Sequence, residues 1–212
     1  MEHKRVVARR RPQSERRRTT RSQLLAATIE CLVEQGYHGT TTLEVERRAA
    51  VSRGARIHHF PTKQDLLAAA ADDLFMRLST HYDEALTQLI GQRPNTPTAH
   101  SALQLIWRVY RQPEYTAVQE LSIAARTDSA LRARLLSVRE THLQLACNAI
   151  CRYLPTLPSH VALELVNTVH AAMFGLLASR GLKQDEVTEA AVLRHLEELV
   201  LQRIQEDAPA SA

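Results

Sequence analysis

Glycine, cysteine and long uncharged runs are all scarce in this chain. Six glycines in 212 residues leave little material for a phosphate-cradling loop or a Gly-x-Ser-x-Gly elbow, and neither motif occurs. An enzyme built on either is excluded. Three cysteines, at 31, 147 and 151, make no even disulfide framework and suit a reducing compartment. Cys147 and Cys151 lie four apart on a helical pattern near His142, but two ligands on one helix face are a weak metal pattern, and both read as small core side chains. His58 and His59 stand between Arg56 and Lys63, where surface or capping roles outweigh metal ligation. No metal and no cofactor is expected. The uncharged stretch Leu165 to Ser179 contains Asn167, Thr168 and His170 and falls short of the roughly 20 apolar residues a bilayer needs. Arg9, Arg10 and Arg11 precede Pro12, Gln13, Ser14 and Glu15, where a signal peptide would place its apolar segment. The expectation is a cytoplasmic protein with no membrane partner. Alternating strand patterns bounded by turn residues are also missing, so the fold class is all-α.

What is present is unevenly charged. The formal net charge of +4 conceals +8 over residues 1–63 and −4 over the remainder. Nine basic against two acidic residues lie within 1–21, with no apolar periodicity, which reads as a disordered basic arm over residues 1–20 suited to a polyanion.

The next 45 residues read as three short helices. Leu25, Ile29 and Leu32 mark a first helix over about 21–35, with Gly36 at its stop. Thr41 with Glu44 forms a capping box for a second, whose inner face holds Val45 and Ala49. Ser52 caps a third after a bend of about two residues, and Pro61 with a Thr62–Asp65 box ends it near residue 59. The second and third form a helix-turn-helix on the segment that carries the charge excess. The third helix has only Ile57 and Phe60 as large apolar residues among Arg53, Arg56, His58 and His59, so it is no ordinary core helix.

The stretch from Leu24 through Leu67, with EQGY, TTT, AVSRGA, HHFPTK and LL in order, resembles the N-terminal DNA-binding domain of the TetR family of one-component bacterial transcription regulators. The resemblance implies DNA contacts from Thr41, Thr42 and Leu43, from Ser52, Arg53, Ala55 and His59, and from Lys63, over a helix-turn-helix domain spanning 21–66. Helix N-termini with hydroxyls and free N–H groups suit phosphate, and Arg53 can reach a guanine edge. Four positions depart from the family: Ala50 replaces a usual Gly, Glu46 a small apolar residue, and Arg56–Ile57 an apolar–Tyr pair. Counting back from Phe60, Arg56 and Ile57 share the flank nearer the core. Burial favours Ile57, so Arg56 is expected to reach out to DNA. The alternative is an internal pair between Arg56 and Glu46.

Residues 67–206 read as a helical effector-binding and dimerisation domain, followed by a disordered tail over 207–212. Leu67, Ala71, Leu74, Leu78 and Tyr82 extend a long helix, and Pro94 and Pro97 break the chain before three more. Trp107, Tyr110, Tyr115, His142, His170, Met173 and Phe174 are the candidates for a small-molecule cavity, compatible with an apolar or aromatic ligand. The helix from His160 to Ser179 is apolar on two faces. With the last helix it is expected to form a twofold four-helix contact through Leu165, Val169, Ala172, Leu176, Leu196 and Val200, the manner in which the family dimerises. The resulting expectation is a homodimer that binds a near-palindromic double-stranded operator, as a repressor released by a small organic effector. A non-specific architectural DNA-binding protein and a helical enzyme with a basic tail are the rivals.

Overall fold

A computed structural model describes residues 12–91 and 98–207. Among the described residues there are nine helices and no strand: α1 Gln13–Gly39, α2 Thr42–Ala49, α3 Arg53–His59, α4 Lys63–Gly91, α5 Ala99–Tyr110, α6 Pro113–Ala124, α7 Ser129–Tyr153, α8 Ser159–Leu182 and α9 Glu186–Glu206. They divide into two compact units between Ala70 and Ala71, within α4.

In the first unit, Leu24, Leu25, Cys31 and Leu32 of α1 are buried with Val45, Phe60, Leu66 and Leu67, each at helical spacing on its own element. α1 is interrupted at Gly36, whose φ of 69° and ψ of −178° suit only glycine. The cap chemistry is local. The Thr41 hydroxyl accepts the Glu44 N–H (3.2 Å), and the Ser52 hydroxyl accepts that of Ala55 (3.3 Å). Thr62 and Asp65 exchange both bonds of a full box, each at 3.0 Å. The expected Thr41–Glu44 box is only half made. Glu44 turns to Arg47 instead (2.7 and 2.8 Å), which holds its carboxyl down at about 2.

The basic arm is corrected in part. Residues 13–20 are the opening turns of α1, where they were expected to be disordered; residues 1–11 lie outside those described, as do 92–97 and the end of the tail, 208–212. A run such as SERRRTTRS lacks an apolar stripe, and its helicity comes from continuity with the packed half of α1.

The second unit holds α8 against α7 and α9, with α5 on α9 and α6 on α7. Leu143, Cys147, Leu157, Val161, Ala162, Leu165 and Val166 form one core cluster, against which Val200 and Ile204 pack. Length and composition alone would let α8 cross a membrane, contrary to the sequence expectation, but its buried face is spent inside this cluster. The same packing corrects the expected dimer face. Leu165, Leu176 and Leu196 are buried within the chain, Val169 borders an internal cavity, and Ala172 and Val200 are half-buried. Sequence periodicity identified two apolar faces on α8 but not which of them the chain itself covers.

Candidate nucleic-acid interface and ligand cavity

The two helices of the helix-turn-helix meet through Ala50, which adopts the left-handed conformation (φ 51°, ψ 40°) usually reserved for glycine. α2 packs on both α1 and α3, which fixes the direction of α3. Exposed on the unit are Thr41, Leu43 (75% exposed), Ser52 and Arg53, while Thr42, Ala55, His59 and Lys63 are half-buried.

Arg56 is not on this surface. It is 6% exposed, and its Nε donates to Glu46 at 2.9 Å while Nη1 donates to the carbonyls of Phe60 (3.2 Å) and Pro61 (3.1 Å). Ile57, expected to pack, is 43% exposed. The expectation therefore fails for both residues, and the internal pair is the arrangement found. The physical reason is that Glu46 supplies a buried partner one helix away, which removes the penalty that was to drive the guanidinium out. The two departures at 46 and 56 are one feature, since each would be an uncompensated buried charge without the other.

Lys63 is also held back. Its Nζ donates to the Tyr37 carbonyl (3.3 Å) and sits 4.7 Å from the centre of the Tyr37 ring, and burial lowers its pKa. His59 is pushed down first by burial and then by the charges of His58, Arg17 and Arg21. That coupling places two arginines of the first turns of α1 beside the end of α3, and the Arg21 guanidinium lies 5.6 Å from the centre of the Phe60 ring. Arg17 and Arg21 were missed as site residues because the run around them was read as an arm. They enlarge the basic surface formed by Arg53 and His58.

Residues 24–70 match the family model described as bacterial regulatory proteins, tetR family. Residues 24–70 are thus a DNA-binding segment of TetR type. An uncharacterised HTH-type transcriptional regulator of Mycobacterium tuberculosis is 32% identical over 128 residues, 60% of this chain and 64% of that protein. The aligned part thus spans less than two thirds of that relative. A transcriptional regulator of Rhodococcus sp. RHA1 shares the fold at a TM-score of 0.64 and 23% identity, over 91% of this chain and 99% of its own. The multidrug-binding protein EbrR, solved with imidazole, does so at 0.63 and 18% identity, over 91% and 96%. That sequence relative is named as a transcriptional regulator.

In the second unit two partly open cavities share His142 and His170. The larger, about 290 Å³, is lined by Phe75, Tyr115, Leu135, Arg139 and Phe174 among others. The smaller, about 80 Å³, is lined by Tyr82, Tyr110 and Val169. Tyr110 and Tyr115 stack at 4.0 Å between ring centres, Tyr115 donates its hydroxyl to Tyr82 (3.1 Å), and Tyr110 bonds Nδ1 of His170. Burial lowers both histidines to about 4, so each is neutral at pH 7, and it raises all three tyrosines. Five of the seven expected cavity residues line this pair of spaces. Trp107 instead donates Nε1 to Glu189 (3.2 Å), which pairs with Arg180 (2.5 Å), and Met173 is fully buried core. Tyr82, Phe75 and Arg139 were not anticipated; the aromatics carried a compositional signal, Arg139 none. No group of three metal-binding side chains occurs among the described residues.

Proposed function

We infer that this chain is a TetR-family, cytoplasmic, DNA-binding transcription regulator, a homodimer that represses from a near-palindromic operator and releases it when a small organic molecule fills the second unit. The observation that carries the reading is the helix-turn-helix whose exposed face bears Arg53, His58, Ser52 and Thr41 beside Arg17 and Arg21, in a segment that matches the family. Arg53 supplies base readout, and the arginines of α1 supply phosphate affinity without sequence choice.

Dimerisation is assigned to the uncovered side of α8. Leu163 (44% exposed), Ala171, Gly175, Ala178 and Leu182 follow one another at helical spacing without a charge, and Leu199 and Leu201 add exposed apolar area on α9. The aromatic-lined cavity supports effector binding, and EbrR, a neighbour in fold, holds a small organic molecule in its solved structure. Release requires that the ligand favour the DNA-incompetent state over the competent one.

A footprint on the DNA upstream of the chain's own gene tests the reading. A short protected palindrome that fades on adding effector is the expected result. Uniform coating would favour an architectural role, and no protection at all would overturn DNA regulation.

A further inference from the structure

The reading of the second unit as effector-binding leaves the ligand's chemistry open, and the polar lining of the two cavities constrains it. Tyrosine hydroxyls, two histidines, Ser122, Arg132 and Arg139 face them, and no aspartate or glutamate does. Burial holds both histidines neutral, so they offer hydrogen bonds but no charge. Arg132 is already engaged: it donates to the carbonyls of Ala125 (3.0 Å) and Arg126 (2.7 Å) beyond the end of α6.

Arg139 is different. Its guanidinium donates to the side-chain oxygen of Asn167 at 3.3 Å and forms no ion pair among the described residues. Its charge is felt inward: it adds to the burial that lowers His170, and it opposes in small part the burial that raises Tyr110. The cavity therefore combines aromatic walls with two guanidinium groups that no carboxylate pairs among the described residues; Arg132 spends its donors on backbone carbonyls, and Arg139 keeps most of its own free. A cavity of about 150 Å³ holds a benzene, so about 290 Å³ has room for one ring with a short polar tail.

We propose that the ligand is a small aromatic monoanion whose ring lies among Phe75, Tyr115 and Phe174 and whose carboxylate, or equivalent oxyanion, pairs with Arg139. A guanidinium prefers such a planar, two-oxygen acceptor. A lipophilic cation would find aromatic faces here but would meet Arg139 with no carboxylate to offset it.

The test uses the full chain and three probes of one shape: 3-phenylpropionate, 3-phenylpropanamide and 3-phenylpropylamine. Calorimetric titration is expected to rank the carboxylate about tenfold tighter than the amide, the scale of one hydrogen-bonded charge, with the amine weakest. Arg139→Gln should bring the carboxylate down to the amide's affinity and leave the amide unchanged. Arg139→Lys should recover part of the loss. Because Arg139 is on the surface, helical content and melting should not move, which separates lost binding from lost folding. Three results overturn the assignment: amine binding as tight as the carboxylate, a preference that survives Arg139→Gln, or no saturable carboxylate binding by the parent chain. If the carboxylate binds with the expected preference yet leaves the operator footprint intact, the anion assignment stands and release by this ligand fails.

Discussion

Replacing Arg56 by Met, which roughly fills the same space, removes three hydrogen bonds, one of them to a carboxylate, and leaves Glu46 buried without its cation. Charge-assisted bonds contribute about 1.5–3 kcal/mol and neutral ones about 1. Breaking a buried pair from one side costs about 3–5 kcal/mol. Against a domain stability of about 5–15 kcal/mol the first unit should stay folded but open far more readily. Hydrogen exchange read by mass spectrometry on peptides within 41–70 reports that unit alone, and about 3 kcal/mol corresponds to exchange faster by roughly a hundredfold. Glu46→Ala should have a comparable effect, while the double variant should regain most of the protection, since a buried ion pair replaced by apolar groups is often neutral. Coupling of about 2 kcal/mol or more is expected in the cycle. Ile57→Ala, on the exposed flank, should cost less than about 1 kcal/mol. The reasoning is refuted if Arg56→Met leaves exchange within about threefold of the parent while weakening operator binding tenfold or more; Arg56 would then be a DNA contact.

His142 and His170, held near 4 in the fold, bind protons more readily once unfolded. The second unit should therefore lose stability as pH falls from about 6.5 toward 4, by up to roughly 3 kcal/mol per histidine. The fluorescence of Trp107, the one tryptophan, reads this as a falling urea midpoint, and a flat midpoint between pH 7 and 4.5 would contradict it. Ala50→Gly should relieve the left-handed turn and raise the first unit's stability by about 0.5–1 kcal/mol, seen as slower exchange in the same peptides; faster exchange would be the contrary result. Leu163→Glu should give a folded monomer by sedimentation and circular dichroism, whereas Leu165→Glu, in the core, should unfold the second unit; a dimeric Leu163→Glu chain would place the contact elsewhere.

The local signals were legible in the sequence because they act over a few residues. Ser52, the Thr62–Asp65 box and Pro61 mark helix ends where they are found, Gly36 marks the interruption of α1, and helical spacing identified the buried Leu25, Ile29 and Leu32. The charge excess and ordered motifs of residues 24–67 were sufficient to point to a TetR-type helix-turn-helix, since that domain is built from contacts close in sequence. Tertiary structure decided whatever depended on a partner far along the chain. Arg56 turned inward because α2 brings Glu46 within 2.9 Å, and no count along α3 contains that distance. The opening turns of α1 are helical and bring Arg17 and Arg21 to α3 through packing that a polar run does not announce. Leu165 and Leu163 look alike in sequence, two residues apart on one apolar helix, yet the first is enclosed by α7 and α9 and the second is left open, because the three-dimensional arrangement of neighbours alone determines which face is covered.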